Sequence, residues 1–182
     1  SISELPVNYQ ERIGIRYDIK VDGLLGGHSG AEIDKIRANA TLLLARFLHE
    51  FREFGEFGLI SLSGGQKDNA IPRQAEASVL TEQEDGEKLV SYAAEFTQML
   101  RKEYTGTDEG ITVTAVCRGE QTEQVLHPVS QEKVIFFLMN YPNGIQKMCG
   151  FIDGLVETSC NVGVTRLESE CLACSTSVRS SA

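Results

Sequence analysis

The hydrophobic period changes repeatedly along this chain, and those changes restrict its fold more than any other feature. In "RIGIRYDIKVD", Arg12 to Asp22, the apolar residues Ile13, Ile15, Tyr17, Ile19 and Val21 alternate with Arg12, Arg16, Asp18 and Lys20. A period of two with one polar face predicts a strand in a sheet covered on one side. From Ala31 to Phe54 the spacing becomes three or four: Ile33, Ile36, Ala40, Leu43, Phe47, Phe51 and Phe54 share one stripe. That predicts an amphipathic helix ended near Gly55.

The same reading continues to the end of the chain. Gly58 to Ser63 and Ala75 to Leu80 read as short strands, with Gly64, Gly65 and Pro72 punctuating the connection. An acidic entrance, "TEQEDGEK", suits the positive end of a second helix whose stripe is Leu89, Ala93, Phe96 and Leu100. Ile111 to Cys117 alternates as a strand, and Ser130 is placed to cap a short helix stopped by Pro142. Val156, Thr158, Cys160, Val162 and Val164 alternate with Glu157, Ser159, Asn161 and Thr165, and a second alternating run, Leu172 to Val178, makes a hairpin with them. The order β-α-β-β-α-β-α-β-β predicts an α+β fold: a ferredoxin-like β-α-β-β-α-β core with an added helix and hairpin, its antiparallel sheet covered by helices.

Composition narrows the function. With 26 Asp and Glu against 17 Lys and Arg the formal charge is −9, and no basic run could follow phosphates, so nucleic acid is not an expected partner. No apolar run approaches the roughly 18 residues a span needs, and membrane insertion is not expected. Five cysteines at irregular spacing favour reduced thiols and a cytoplasmic setting; "CLAC", Cys171 to Cys174, has no second pair to complete a metal knuckle. At 182 residues the chain suits one domain.

Three polar residues stand where packing does not require them. His28 sits in "GGHSG", where Gly26, Gly27 and Gly30 leave its imidazole unshielded; its bland reading is a solvated loop histidine. Asn69 in "GGQKDNAIP" could donate an amide to a carbonyl or carboxylate, or close an Asx turn. Arg179 carries a planar fork suited to a carboxylate, and is otherwise a surface cation. Glu157, Ser159 and Asn161 read as the solvated face of their strand. With only His28, His49 and His127, scattered, no H-x-D or H-E-x-x-H ligand set can be assembled, so no metal site is expected within the chain. From the residues alone, it reads as a binding or assembly domain.

Six segments in order, "GLLGGHSGAEI", "NATLLLARFL", "GGQKDNAIPRQA", "YPNGI", "VETSCNVGV" and "VRSS", resemble the lid or dimerisation domain of bacterial aminoacyl-histidine dipeptidases, which are carnosinase-like zinc metallopeptidases. The likeness runs from Arg12 to Ser181. It implies that residues 1–182 form a single lid and dimerisation domain cut from a two-domain parent, whose catalytic domain holds two zinc ions and hydrolyses Xaa-His dipeptides such as carnosine. It implies a homodimer in which His28 reaches across to stabilise the oxyanion in the partner's site. It also implies that Asn69 and Arg179 contact substrate, Arg179 at the terminal carboxylate. The family's zinc ligands and catalytic glutamate lie outside this segment, so the chain alone is expected to bind no zinc and to be inactive. Two alternatives stay open: the lid of another peptidase or acyl-amino-acid hydrolase of the same superfamily, and a stand-alone ferredoxin-like binding module.

Overall fold

A computed structural model describes residues 1–181. Its strands are β1 (Ile2–Pro6), β2 (Tyr9–Asp22), β3 (Gly27–His28), β4 (Gly58–Gly64), β5 (Ala70–Ile71), β6 (Ala75–Thr81), β7 (Thr112–Leu126), β8 (Gly144–Met148), β9 (Val156–Leu167) and β10 (Cys171–Ser180). Its helices are α1 (Ala40–Phe51), α2 (Gln83–Glu103) and α3 (Pro128–Asn140). The main sheet runs β1-β10-β9-β4-β6-β2-β7, with β8 paired to β9, and every pairing is antiparallel. Its β7-β2-β6-β4 portion, with α1 linking β2 to β4 and α2 linking β6 to β7, is the expected ferredoxin-like unit. α3 and the β9–β10 hairpin are the expected additions.

The helical stripes bury as their spacing demands. Phe47 and Leu44 of α1, Leu89 and Phe96 of α2, and Val134 and Leu138 of α3 pack with Ile19, Val21, Leu59 and Val79 of the sheet. Phe47 is fully buried, 5.3 Å from the Tyr92 ring and 5.4 Å from that of Phe96. On β2 the polar residues form a network instead: Asp18 accepts from Arg16, Ser78 and Arg118. Burial tends to raise the Asp18 carboxyl, but these three donors outweigh it and hold the group below its ordinary range. All five cysteines are free thiols.

Three expectations need correction. The first helix does not start at Ala31. Residues 33–35 make a single 3-10 turn, Ile36 adopts a left-handed backbone with φ 50°, and Asn39, with extended backbone, caps α1 by accepting from the N–H groups of Thr41 and Leu42. A β-branched residue in that conformation cannot continue an α-helix, so Ile36 is 74% exposed despite its spacing. The cap of α3 is His127 rather than Ser130; Pro128 takes the first turn, where a missing N–H costs nothing, and buried Ser130 accepts from the N–H of Asn8. Finally, Ser159 and Asn161 are buried, not solvated. The β9–β10 register slips at Gly163, where Val164 pairs with Ser175 but Val162 with Thr176, and this exchanges the faces of β9.

Candidate functional site

The bulge at Gly163 seats the loop between β4 and β5. Asn161 donates from its amide to the carbonyls of Asp68 and Ala70, at 3.1 and 3.0 Å. A Cβ on Gly163 would lie 2.5 Å from the Cα of Asp68, and one on Gly65, whose φ is 75°, would lie 1.8 Å from the Gly163 carbonyl oxygen. Neither position tolerates a side chain. The polar "N-V-G" of β9 therefore grips a neighbouring backbone, and Asn69 is carried at the gripped turn.

β5, which follows Asn69, pairs with β3: His28 faces Ala70 and Gly27 faces Ile71. The N–H of Ser29 donates to the Asn69 carbonyl at 3.0 Å. Gly27 reaches this position with φ 142°, and a Cβ there would meet Glu32 and Arg37 within 2.7 Å. Glu32 closes the loop, one oxygen accepting from the His28 N–H at 2.8 Å and the other from Arg37 at 3.1 Å. That N–H, then Lys35 and Arg37, hold the Glu32 carboxyl below its usual range, against slight desolvation.

The His28 imidazole is exposed, and its ring orientation is fixed from one side. Nδ1 accepts from the N–H groups of Gly30 and Ala31 at 3.2 and 3.1 Å. With Nδ1 an acceptor, the proton of the neutral ring belongs on Nε2, which leaves an N–H donor directed away from the loop. Arg179 completes the surface. It pairs with Ser159 across the β9–β10 hairpin and so shares the face of Ser159 and Asn161. Its guanidinium lies on Gly30, where a Cβ would come within 2.6 Å of Cζ and 2.7 Å of Nε and Nη1.

All three residues singled out from the sequence thus meet on one surface of one chain. Asn69 and Arg179 are exposed, and among the described residues neither side chain makes a hydrogen bond or ion pair, so the Asx turn is not formed. Beside them Ser29 is buried, with its hydroxyl unpartnered. Sequence reasoning took Asn161 for a solvated residue and gave Gly163 no role; the glycine inside an alternating strand, two residues after Asn161, was the available signal of a bulge. His49 and His127 lie elsewhere, in α1 and at the start of α3. Among the described residues, no three His, Cys, Asp or Glu side chains converge as a metal site, and no helix is long and apolar enough to cross a membrane.

The family profile described as "Peptidase dimerisation domain" matches residues 19–108, a span that includes the His28 and Asn69 loops. The chain carries a peptidase dimerisation domain. This dimerisation domain is 32% identical over 151 residues to the cytosol non-specific dipeptidase of Escherichia coli (strain K12), covering 83% of the chain and 31% of that protein. It is also similar to the crystal structure of aminoacylhistidine dipeptidase from Vibrio alginolyticus, with 30% identity and a TM-score of 0.88 over 98% of the chain and 37% of that structure. At 98% coverage, the structural likeness extends well past residue 108. The chain spans about a third of the length of these relatives.

Proposed function

We propose that residues 1–182 are the single lid and dimerisation domain of a longer cytoplasmic dipeptidase that cleaves Xaa-His dipeptides such as carnosine. One observation carries the reading: His28, with Nδ1 held by two backbone N–H groups and Nε2 left to donate, lies on one surface with the Asn69 amide and the Arg179 guanidinium, neither of which is paired among the described residues. A dipeptide undergoing hydrolysis presents the matching groups, an oxyanion developing at the peptide carbonyl and a fixed terminal carboxylate. Arg179 suits the carboxylate because its fork can take both oxygens and, among the described residues, no carboxylate pairs with it. His28 suits the oxyanion because a neutral donor held in place by two backbone N–H groups needs no reorganisation as charge develops, which is worth ~3 kcal/mol in comparable sites. Asn69, displayed beside His28, is assigned to the substrate backbone.

Two zinc ions in the parent's catalytic domain would activate water; among the described residues of this chain no ligand set for them is assembled. The domain's partners in this reading are its own catalytic domain and a second copy of the parent. β7 lies at the edge of the sheet, and its outer side offers one surface for pairing between copies.

In the first reading His28 serves the partner's active site, as the resemblance of its glycine-flanked motif implies. The contact of Arg179 with Gly30 means that one chain assembles both groups, and in a second reading it presents them to its own catalytic domain rather than to the partner's. Mixing His28→Ala subunits with subunits lacking zinc ligands separates the two: recovered activity supports delivery across the dimer, and none supports delivery within the chain. The substrate assignment is tested by kcat/KM of the full-length enzyme for carnosine against dipeptides without histidine. A clear preference for carnosine is expected, and equal rates would favour a broader peptidase.

A further inference from the structure

Asp108 is fully buried in the turn between α2 and β7, far in sequence from the His28 loop, and among the described residues no cation pairs with it. Its two carboxylate oxygens reach the two ends of one loop. Oδ1 accepts from the N–H of Leu25 and Oδ2 from the N–H of Ala38, each at 2.8 Å. Leu25 precedes the Gly26-Gly27-His28 mount, and Ala38 precedes Asn39, the cap of α1. The same turn receives the start of the loop, where Gly23, with φ 80°, packs so closely that a Cβ would lie 2.0 Å from the Gly110 carbonyl oxygen.

A buried carboxylate without a countercharge persists only when its hydrogen bonds are well satisfied. Apolar packing alone could fill this turn, and it would not tie residues 25 and 38 to a common point. The loop contains a left-handed Ile36 and two glycines of positive φ, backbone states that compete with many others unless the ends are held. We infer that Asp108 is a positioning residue for His28: it closes the base of the loop, while Glu32 closes its interior. The catalytic consequence rests on the function proposed above. The structural consequence does not.

The test has two arms. In the 182-residue chain, Asp108→Asn places an NH2 against one of the two N–H donors, so amide exchange should accelerate at Leu25, Ala38 and the residues between them. Protection in β2 and β6 should hold. Unchanged exchange in the loop, or equal loss of protection throughout, would overturn the inference. In the full-length enzyme, Asp108→Asn should lower kcat by about 10²-fold, the scale of a 1 Å misplacement, with KM little changed. In a His28→Ala background the same substitution should have almost no further effect, because the group it positions is gone. An equal drop in both backgrounds would show that Asp108 acts elsewhere. If the asparagine variant does not fold, Asp108→Glu keeps the charge and both acceptors but shifts them by one methylene, and the same two-background comparison decides. Should His28→Ala itself leave kcat unchanged, the function proposed above fails, while the exchange arm still judges Asp108.

Discussion

The guanidinium of Arg179 lies across Gly30, two residues beyond His28, so closely that a Cβ on Gly30 would come within 2.6 Å of it. A residue from the last strand thus touches the loop after β2, and the groups proposed for the scissile carbonyl and the terminal carboxylate of a dipeptide lie together on one chain.

Gly30→Ala should therefore disturb the site more than the fold. The displaced group is an exposed, flexible side chain, so the thermal midpoint should move little, within the ~0.5 kcal/mol typical of surface changes. KM for a dipeptide should rise several-fold as Arg179 is pushed aside, with a smaller change in kcat. An unaltered KM would separate Arg179 from carboxylate binding.

In the full-length enzyme His28→Ala and Arg179→Ala should differ in kind. Loss of an oxyanion donor should lower kcat by about 10²–10³-fold with KM nearly constant. Loss of the guanidinium removes an interaction made equally with substrate and transition state, so it should mainly raise KM. Steady-state kinetics on both variants checks this, and a His28 variant altered only in KM would contradict the assignment.

Most of the fold could be read in advance because its strands and helices announce themselves by period. The errors fall where a local feature outweighs the period. Ile33 and Ile36 keep helical spacing, but Ile36 turns left-handed and leaves Asn39 to start α1. Ile13 keeps strand spacing yet is 66% exposed, where β2 pairs with β7 alone and β6 does not flank its other side. In β9 the bulge at Gly163 exchanges faces, so Asn161, polar and alternating, is buried against the Asn69 loop. No periodicity could show that, since the partner is a backbone almost a hundred residues away. β1, β8 and the β3–β5 pair were missed for want of length. Of the candidate site, His28, Asn69 and Arg179 could be picked out as residues, but their placement on one surface and the hydrogen bonds of Asp108 to Leu25 and Ala38 could not.

The hold of Glu32 on the His28 N–H should depend on pH in a defined direction. The folded-state carboxyl is lowered, so its contribution is present above the unfolded value and is lost as pH falls through the folded one. In a carboxyl-carbon NMR titration of the 182-residue chain, Glu32 should titrate below an ordinary glutamate, and the His28 amide signal should move with the same midpoint. Titration at or above the ordinary value would mean that the clasp does not form.

Phe47→Ala should test the core apart from the site. The ring is fully buried among Phe51, Tyr92 and Phe96, so its removal should cost about 3–5 kcal/mol in denaturant unfolding. A loss below ~1 kcal/mol would contradict the packing of α1 on α2.

The central claim is that one protomer supplies both His28 and Arg179 to the same active site. It is tested most directly by exchanging subunits between a full-length His28→Ala enzyme and a full-length Arg179→Ala enzyme and measuring dipeptide hydrolysis at a substrate concentration where each alone is nearly inactive. If one chain supplies both groups, every site in the mixed dimer still lacks one of them, and activity should stay at the level of the parents. If the groups come from different subunits, half of the sites in the mixed dimer regain both, and a return of activity, with exchange verified by mass, would contradict the account.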